Sequence, residues 1–237
     1  MRQEDILVAM KNELAPGQPF QFRCDQCGEC CRNREDIILN PFDLFRISSQ
    51  LGTKPNEIVE RYCTVYVGDS SRFPVVLLLP VGNEKTCPFL KDNRCSVHAN
   101  KPTVCALYPL GRGIRYDKKP DANGVRKKKL FYFLQDIPCG LKDETHTALE
   151  WMGEFNLADS EEWFLEWSEM LERVVPIIKD LEQTLSQDCM MPVFNALLHV
   201  IYFNYMGGIG FMQQFRKNAN EAEQMLSRLR EIVTTAE

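Results

Sequence analysis

Four cysteines fall within eight residues of this chain: Cys24, Cys27, Cys30 and Cys31. Gaps of two residues let successive thiolates curl around one metal ion or cluster while the backbone still turns tightly. Neighbouring side chains diverge along most backbones, so Cys30 and Cys31 are expected to serve two centres, or one centre and one auxiliary position. Further thiols follow singly at Cys87, Cys95, Cys105 and Cys139, most of them beside or near a Pro or Gly that turns the loop presenting them. The eight together match the needs of two all-cysteine zinc sites, two iron–sulfur cubanes, or one of each.

Ligand type alone permits both metals. The run Cys24-x2-Cys27-x2-Cys30 matches three consecutive cluster ligands of bacterial ferredoxins, and Pro stands next to Cys87 and Cys139, which favours iron–sulfur. Cys95-x2-His98 offers a zinc-like pair instead. Eight thiols already complete two sites, so His98 is expected to be a polar loop histidine. His199, on an apolar stretch, is expected to be a hydrogen-bonded core residue. Cys63 and Cys189 fall outside the pattern and read as small buried hydrophobes. A nucleophilic cysteine activated by His98 or a helix terminus is a different class of chemistry, and no spacing selects one thiol for it. Tyr108 and Arg112, close to Cys105, could line a pocket there or merely form a surface turn.

Ten cysteines behind an opening segment, MRQEDILVAM, that lacks the form of an export signal point to a reducing, cytoplasmic setting, where metal ligation outweighs disulfides. A net charge of −5 disfavours nucleic acid as a partner, since phosphate contacts need surplus Lys and Arg. A protein partner stays open. The longest apolar stretch, 192–212, carries Asn195, His199 and Asn204, so it is read as a buried helix and no membrane association is expected.

The cysteines must be positioned by the elements between them. Asn40-Pro41 followed by FDLFRISSQLG predicts a capped helix ending at Gly52, and 53–62 predicts a second. Runs at 73–80 (FPVVLLLP) and 129–135, with a weaker one at 113–116, predict one small antiparallel sheet. Between them, 116–128 reads as an exposed hairpin connection whose cluster Arg126, Lys127 and Lys128 is a solvated loop. Metal ligands are expected to replace a missing hydrophobic core in this irregular part. Beyond it, Asp159 and Glu162 resemble a capping box, and Phe164, Trp167, Leu171, Val174, Ile178, Leu181 and Leu185 lay an apolar stripe along a helix that Pro176 should kink or divide. Helices over 193–205 and 220–233 follow.

The CxxCxxCC run, the block CPFLKDNRCSVHANKPTVCALYP at 87–109 and the PCG at 138–140 together resemble the YkgJ-type CxxCxxCC cysteine-cluster family, described as chelating zinc or iron, over about residues 20–141. That resemblance implies Cys24, Cys27, Cys30, Cys31, Cys87, Cys95, Cys105 and Cys139 as metal ligands. Ala106 stands where many members carry Arg, which removes any anion contact implied there. Relatives with the cluster include flagellin lysine N-methylases, but no glycine-rich S-adenosylmethionine loop opens a βαβ unit here. The expected architecture is α+β, with a cysteine-rich metal-organised domain at 21–141 after an N-terminal helix or arm at 1–20, and a helical domain at 142–237. The expected function is binding of an iron–sulfur cluster or zinc, in redox, electron transfer or sensing. The alternatives are a zinc-stabilised protein-interaction scaffold and a lysine N-methylase-like enzyme.

Overall fold

The computed structural model describes residues 11–117, 119–120, 126–135, 139–157 and 160–235. The chain is an α+β mixture of short antiparallel sheets and helices, the longest helices lying towards the C-terminus. It divides into two compact units, each assembled from two stretches of sequence: 1–32 with 89–165, and 33–88 with 166–237. No helix among the described residues is long and apolar enough to cross a membrane.

The first unit holds seven of the eight predicted ligands. Strand Phe20–Arg23 pairs antiparallel with Leu141–His146, which leads through Thr147 into helix Ala148–Glu154. Thr147 closes a capping box with Glu150. This last strand and helix were not legible in sequence, because LKDETH is almost wholly exposed and has no apolar alternation. Its ladder partner, not its own pattern, holds it extended. A second sheet joins Leu110–Tyr116 to Lys128–Leu134, with Glu13–Leu14 on its other edge. The first of these strands starts three residues earlier than 113–116, since Phe133 and Phe131 lie across the strand over Gly111 and Gly113 and cover their missing side chains. The predicted hairpin is present, though its residues 118 and 121–125 lie outside the described residues, as do residues 1–10 of the predicted N-terminal arm.

A hydrophobic core fills this unit, contrary to the expectation that metal ligands stand in for one. Trp151, 2% exposed, meets Phe20, Phe22 and Phe155 edge-on at centroid distances of 6.3, 5.3 and 5.3 Å. Its indole N–H donates to the Leu107 carbonyl at 3.2 Å. Leu107, Leu110, Met152 and Leu157 complete the packing.

In the second unit, helix Pro41–Leu51 is capped by Asn40, whose side chain accepts from the Asp43 amide while Asp43 reaches back, and it ends at Gly52 in the left-handed region. Helix Pro55–Tyr62 follows. Strand Pro74–Leu78 buries alternate residues and pairs with Ile38–Leu39 and Cys63–Val67. The predicted single sheet is therefore two, because the apolar runs at 73–80 and 129–135 find different partners. Helix Ser160–Thr184, whose first six residues belong to the first unit, runs unbroken through Pro176, and Val174, Ile177, Ile178 and Leu181 anchor it on either side of the proline. The proposed Asp159 cap lies outside the described residues. Helix Gln187–Leu198, capped by Ser186, passes into a π turn at His199–Phe203, and Phe211–Thr235 closes the chain. The last helix begins well before residue 220 because Phe211 and Phe215 stack and bury in the unit's core.

The two cysteines outside the pattern have different surroundings. Burial pushes the Cys63 thiol up to about 12. Cys189 is exposed, against the expectation that it is buried, because it lies on the outward side of the first turn of its helix. Alkylation with iodoacetamide near pH 8, followed by peptide mass spectrometry, should modify Cys189 rapidly and leave Cys63 unmodified until the chain unfolds. Equal rates at both would contradict this environment.

Candidate metal centre

Pairing of Leu141 with Arg23 brings two cysteine segments to one end of a two-stranded ribbon, since Cys24 follows Arg23 and Cys139 precedes Leu141 by two residues. Gly140 makes this approach possible. Its φ is +88°, and a Cβ there would stand 2.1 Å from the Phe22 ring. Gly140→Ala should therefore cost about 1–3 kcal/mol of stability in urea unfolding and weaken metal retention by displacing Cys139. An unfolding midpoint equal to that of the unmodified chain would show that the approach is not constrained.

Gly28, in the left-handed region at φ 79°, starts the 3-10 turn Glu29–Cys31. A Cβ on it would meet Leu90 at 3.2 Å and the Asn93 carbonyl at 3.3 Å, so the loop of the four-cysteine run packs close against the ribbon of Leu90–Lys91 and Arg94–Cys95. Arg32 donates to Asn93 at 2.6 Å across the same contact. Cys105 comes from the short helix Thr103–Leu107, which is anchored by buried Ala106 and Leu107.

These elements bring Cys24, Cys27, Cys30, Cys105 and Cys139 onto the wall of one cavity of about 30 Å³, with Lys101 among them. Tyr108 shares that wall, and its hydroxyl lies 3.5 Å from the Cys139 sulfur. Cys95 is not on the wall but feels the charge of Cys30 and Cys24. Cys24 Sγ lies 3.9 Å from His98 Nε2. Cys31 is half-buried and is not on the wall, and Cys87 belongs to the second unit. None of the ten cysteines is tied into a disulfide. Among the described residues, no three His, Cys, Asp or Glu side chains are drawn as close together as they would be around a bound ion. A larger cavity in the same unit, about 650 Å³ and lined by Leu14, Phe131, Tyr132 and Leu149, holds no cysteine, so size alone does not mark the chemistry.

The electrostatics suit soft-metal chelation. Burial raises the Cys95 thiol, with Cys30 and Cys24 adding to the effect and Lys101 and a backbone hydrogen bond opposing it. At Cys27 a backbone hydrogen bond with Glu29 pulls the thiol down, yet burial, Asp25 and Cys139 together outweigh it and leave it raised. Crowded thiols that resist ionising side by side are those a cation would deprotonate on binding. Lys101, 7% exposed, holds its ammonium 4.1 Å from the centroid of the Phe155 ring and lends positive charge to the thiols. By donor type the residues fit a zinc or iron centre, in which Cys24, Cys27, Cys30, Cys105 and Cys139 would be the first to hold the metal. Sequence reasoning did not find Lys101 or Gly140. The place of Gly140 directly after Cys139 was its only signal.

No curated protein and no solved structure matched the chain. Cys139 lies beyond the stretch that a family model covers, and it joins the group through its place on the cavity wall. Residues 23–132 match the model of the CxxCxxCC family, described as "Putative zinc- or iron-chelating domain", and over that stretch the chain is similar to this family.

Proposed function

We propose that the chain chelates a transition metal through the thiols of its first unit, with zinc preferred over an iron–sulfur cluster, and that the metal fixes a surface for a protein partner. The convergence of five thiols and a buried ammonium on one small cavity carries this reading. A space of about 30 Å³ is on the scale of one water molecule or one ion. A cubane, with four irons and four sulfides, would need its walls to move apart. When bound, zinc supplies a redox-inert tetrahedral tie among loops that are otherwise distant in sequence. The protein's own part is to present thiols from 24–31, 95–105 and 139, and to offset their charge with Lys101. Cys31 and Cys87 enter the ligand set on the sequence pattern alone.

A second reading, electron transfer or sensing through a cluster, is favoured by the spacing Cys24-x2-Cys27-x2-Cys30. Anaerobic purification followed by visible absorption and determination of zinc, iron and acid-labile sulfide separates the two. Colourless protein with zinc supports the scaffold. Brown protein with iron and sulfide supports the cluster, and folded protein lacking both metals would overturn chelation altogether.

A further inference from the structure

We infer that His98 is a metal ligand in this chain, its Nε2 sharing one ion with the Cys24 thiolate at the edge of the thiol group; the inference rests on the chelating function proposed above. In a tetrahedral zinc site with Zn–S near 2.3 Å and Zn–N near 2.05 Å, a sulfur and a nitrogen ligand are separated by about 3.6 Å. Cys24 Sγ and His98 Nε2 are 3.9 Å apart, although 74 residues separate them in sequence. Two donors held at nearly the edge length of that tetrahedron need only a small closure to share one ion.

The backbone around His98 is fixed in a way that serves ligation. Ser96 bonds the Phe89 carbonyl through both its amide, at 2.8 Å, and its hydroxyl, at 2.9 Å. Val97 is fully buried, and the Asn100 amide closes a turn on its carbonyl at 3.0 Å. Cys95 and His98 therefore leave one braced turn, three positions apart. The imidazole rests edge-on against Phe155 at a centroid distance of 5.7 Å, which limits its rotation. An imidazole among thiols is a donor combination typical of structural zinc, whereas cubanes take four thiolates. The alternative, a loop imidazole hydrogen-bonded to a thiol, would give the same distance but no metal bond.

Cobalt(II) distinguishes the two, because its visible ligand-field bands report donor type. The full-length chain is stripped with chelator under anaerobic conditions and titrated with cobalt(II) alone. His98→Cys should retain cobalt, move the ligand-field bands to longer wavelength and increase the thiolate charge-transfer intensity. His98→Ala should weaken cobalt binding at one site by at least about tenfold, a loss no smaller than that of a supporting contact. Should His98→Ala fail to fold, the His98→Cys spectrum decides. Variant spectra and affinities superimposable on those of the unmodified chain would overturn the assignment of His98 and leave chelation intact. Absence of thiolate charge-transfer bands from the unmodified chain would instead refute chelation itself.

Discussion

Serine in place of Cys27, Cys105 or Cys139 is expected to lower the affinity for zinc by about two to three orders of magnitude, whereas serine at Cys63 or Cys189 leaves it unchanged. Structural zinc binds thiol sites with about 10–16 kcal/mol at neutral pH, so each of four ligands accounts for about 2.5–4 kcal/mol. A serine hydroxyl is far less acidic than a thiol and does not replace the lost sulfur anion. The three positions are chosen because each lies on the cavity wall and each comes from a different segment: the four-cysteine run, the helix Thr103–Leu107 and the loop before Leu141. Competition with a coloured zinc chelator measures the effect. Retention of full affinity by all three variants would show that the cavity is not the site. Serine at Cys31 and Cys87 tests the two ligands that rest on sequence alone.

Trp151→Ala is expected to cost about 3–5 kcal/mol of folding free energy, the range for removing a large aromatic from a packed core. Trp151 joins the strand that leads into Cys24, through Phe20 and Phe22, to the helix that bears Cys105, through its bond to the Leu107 carbonyl. The same substitution should therefore speed extraction of metal by chelator, although no thiol has been touched. Urea unfolding followed by circular dichroism gives the first quantity and the rate of chelator colour the second. A loss below about 1 kcal/mol would mean that metal ligation, and not this aromatic core, organises the unit.

That distinction marks where sequence reasoning stopped. Helix Pro41–Leu51 was legible because its signals are local: Asn40 before, Pro41 at the first turn and Gly52 after. Strand Pro74–Leu78 was legible because it is a short apolar run with β-branched residues between two prolines. Strand Leu141–His146 was not, since its charged residues have no pattern of their own and its conformation comes from Phe20–Arg23. The core around Trp151 was missed for a related reason: its members Phe20, Phe22, Leu107 and Phe155 are scattered through segments that look irregular one at a time. Of the kink or division that Pro176 suggested, division does not occur, because the buried stripe on both sides of it keeps one helix.

For the candidate site, residue types were legible and their grouping was not. Cysteine spacing drew attention to the thiols, but nothing in the spacing said that Cys139 joins Cys24, Cys27, Cys30 and Cys105 on one wall, or that Cys24 approaches His98. Those relations follow from the ladder between Arg23 and Leu141 and from the braced turn at 96–100. Lys101 had no signal at all, because burial of an ammonium beside thiols is a tertiary property.

X-ray absorption at the edge of whatever metal the natively purified chain carries tests the central claim most directly, because it reads the atoms bonded to that metal. The account predicts a first shell dominated by sulfur at about 2.3 Å if the metal is zinc. A shell made only of oxygen or nitrogen at about 2.0–2.2 Å would contradict it, since the metal would then be held away from the thiols.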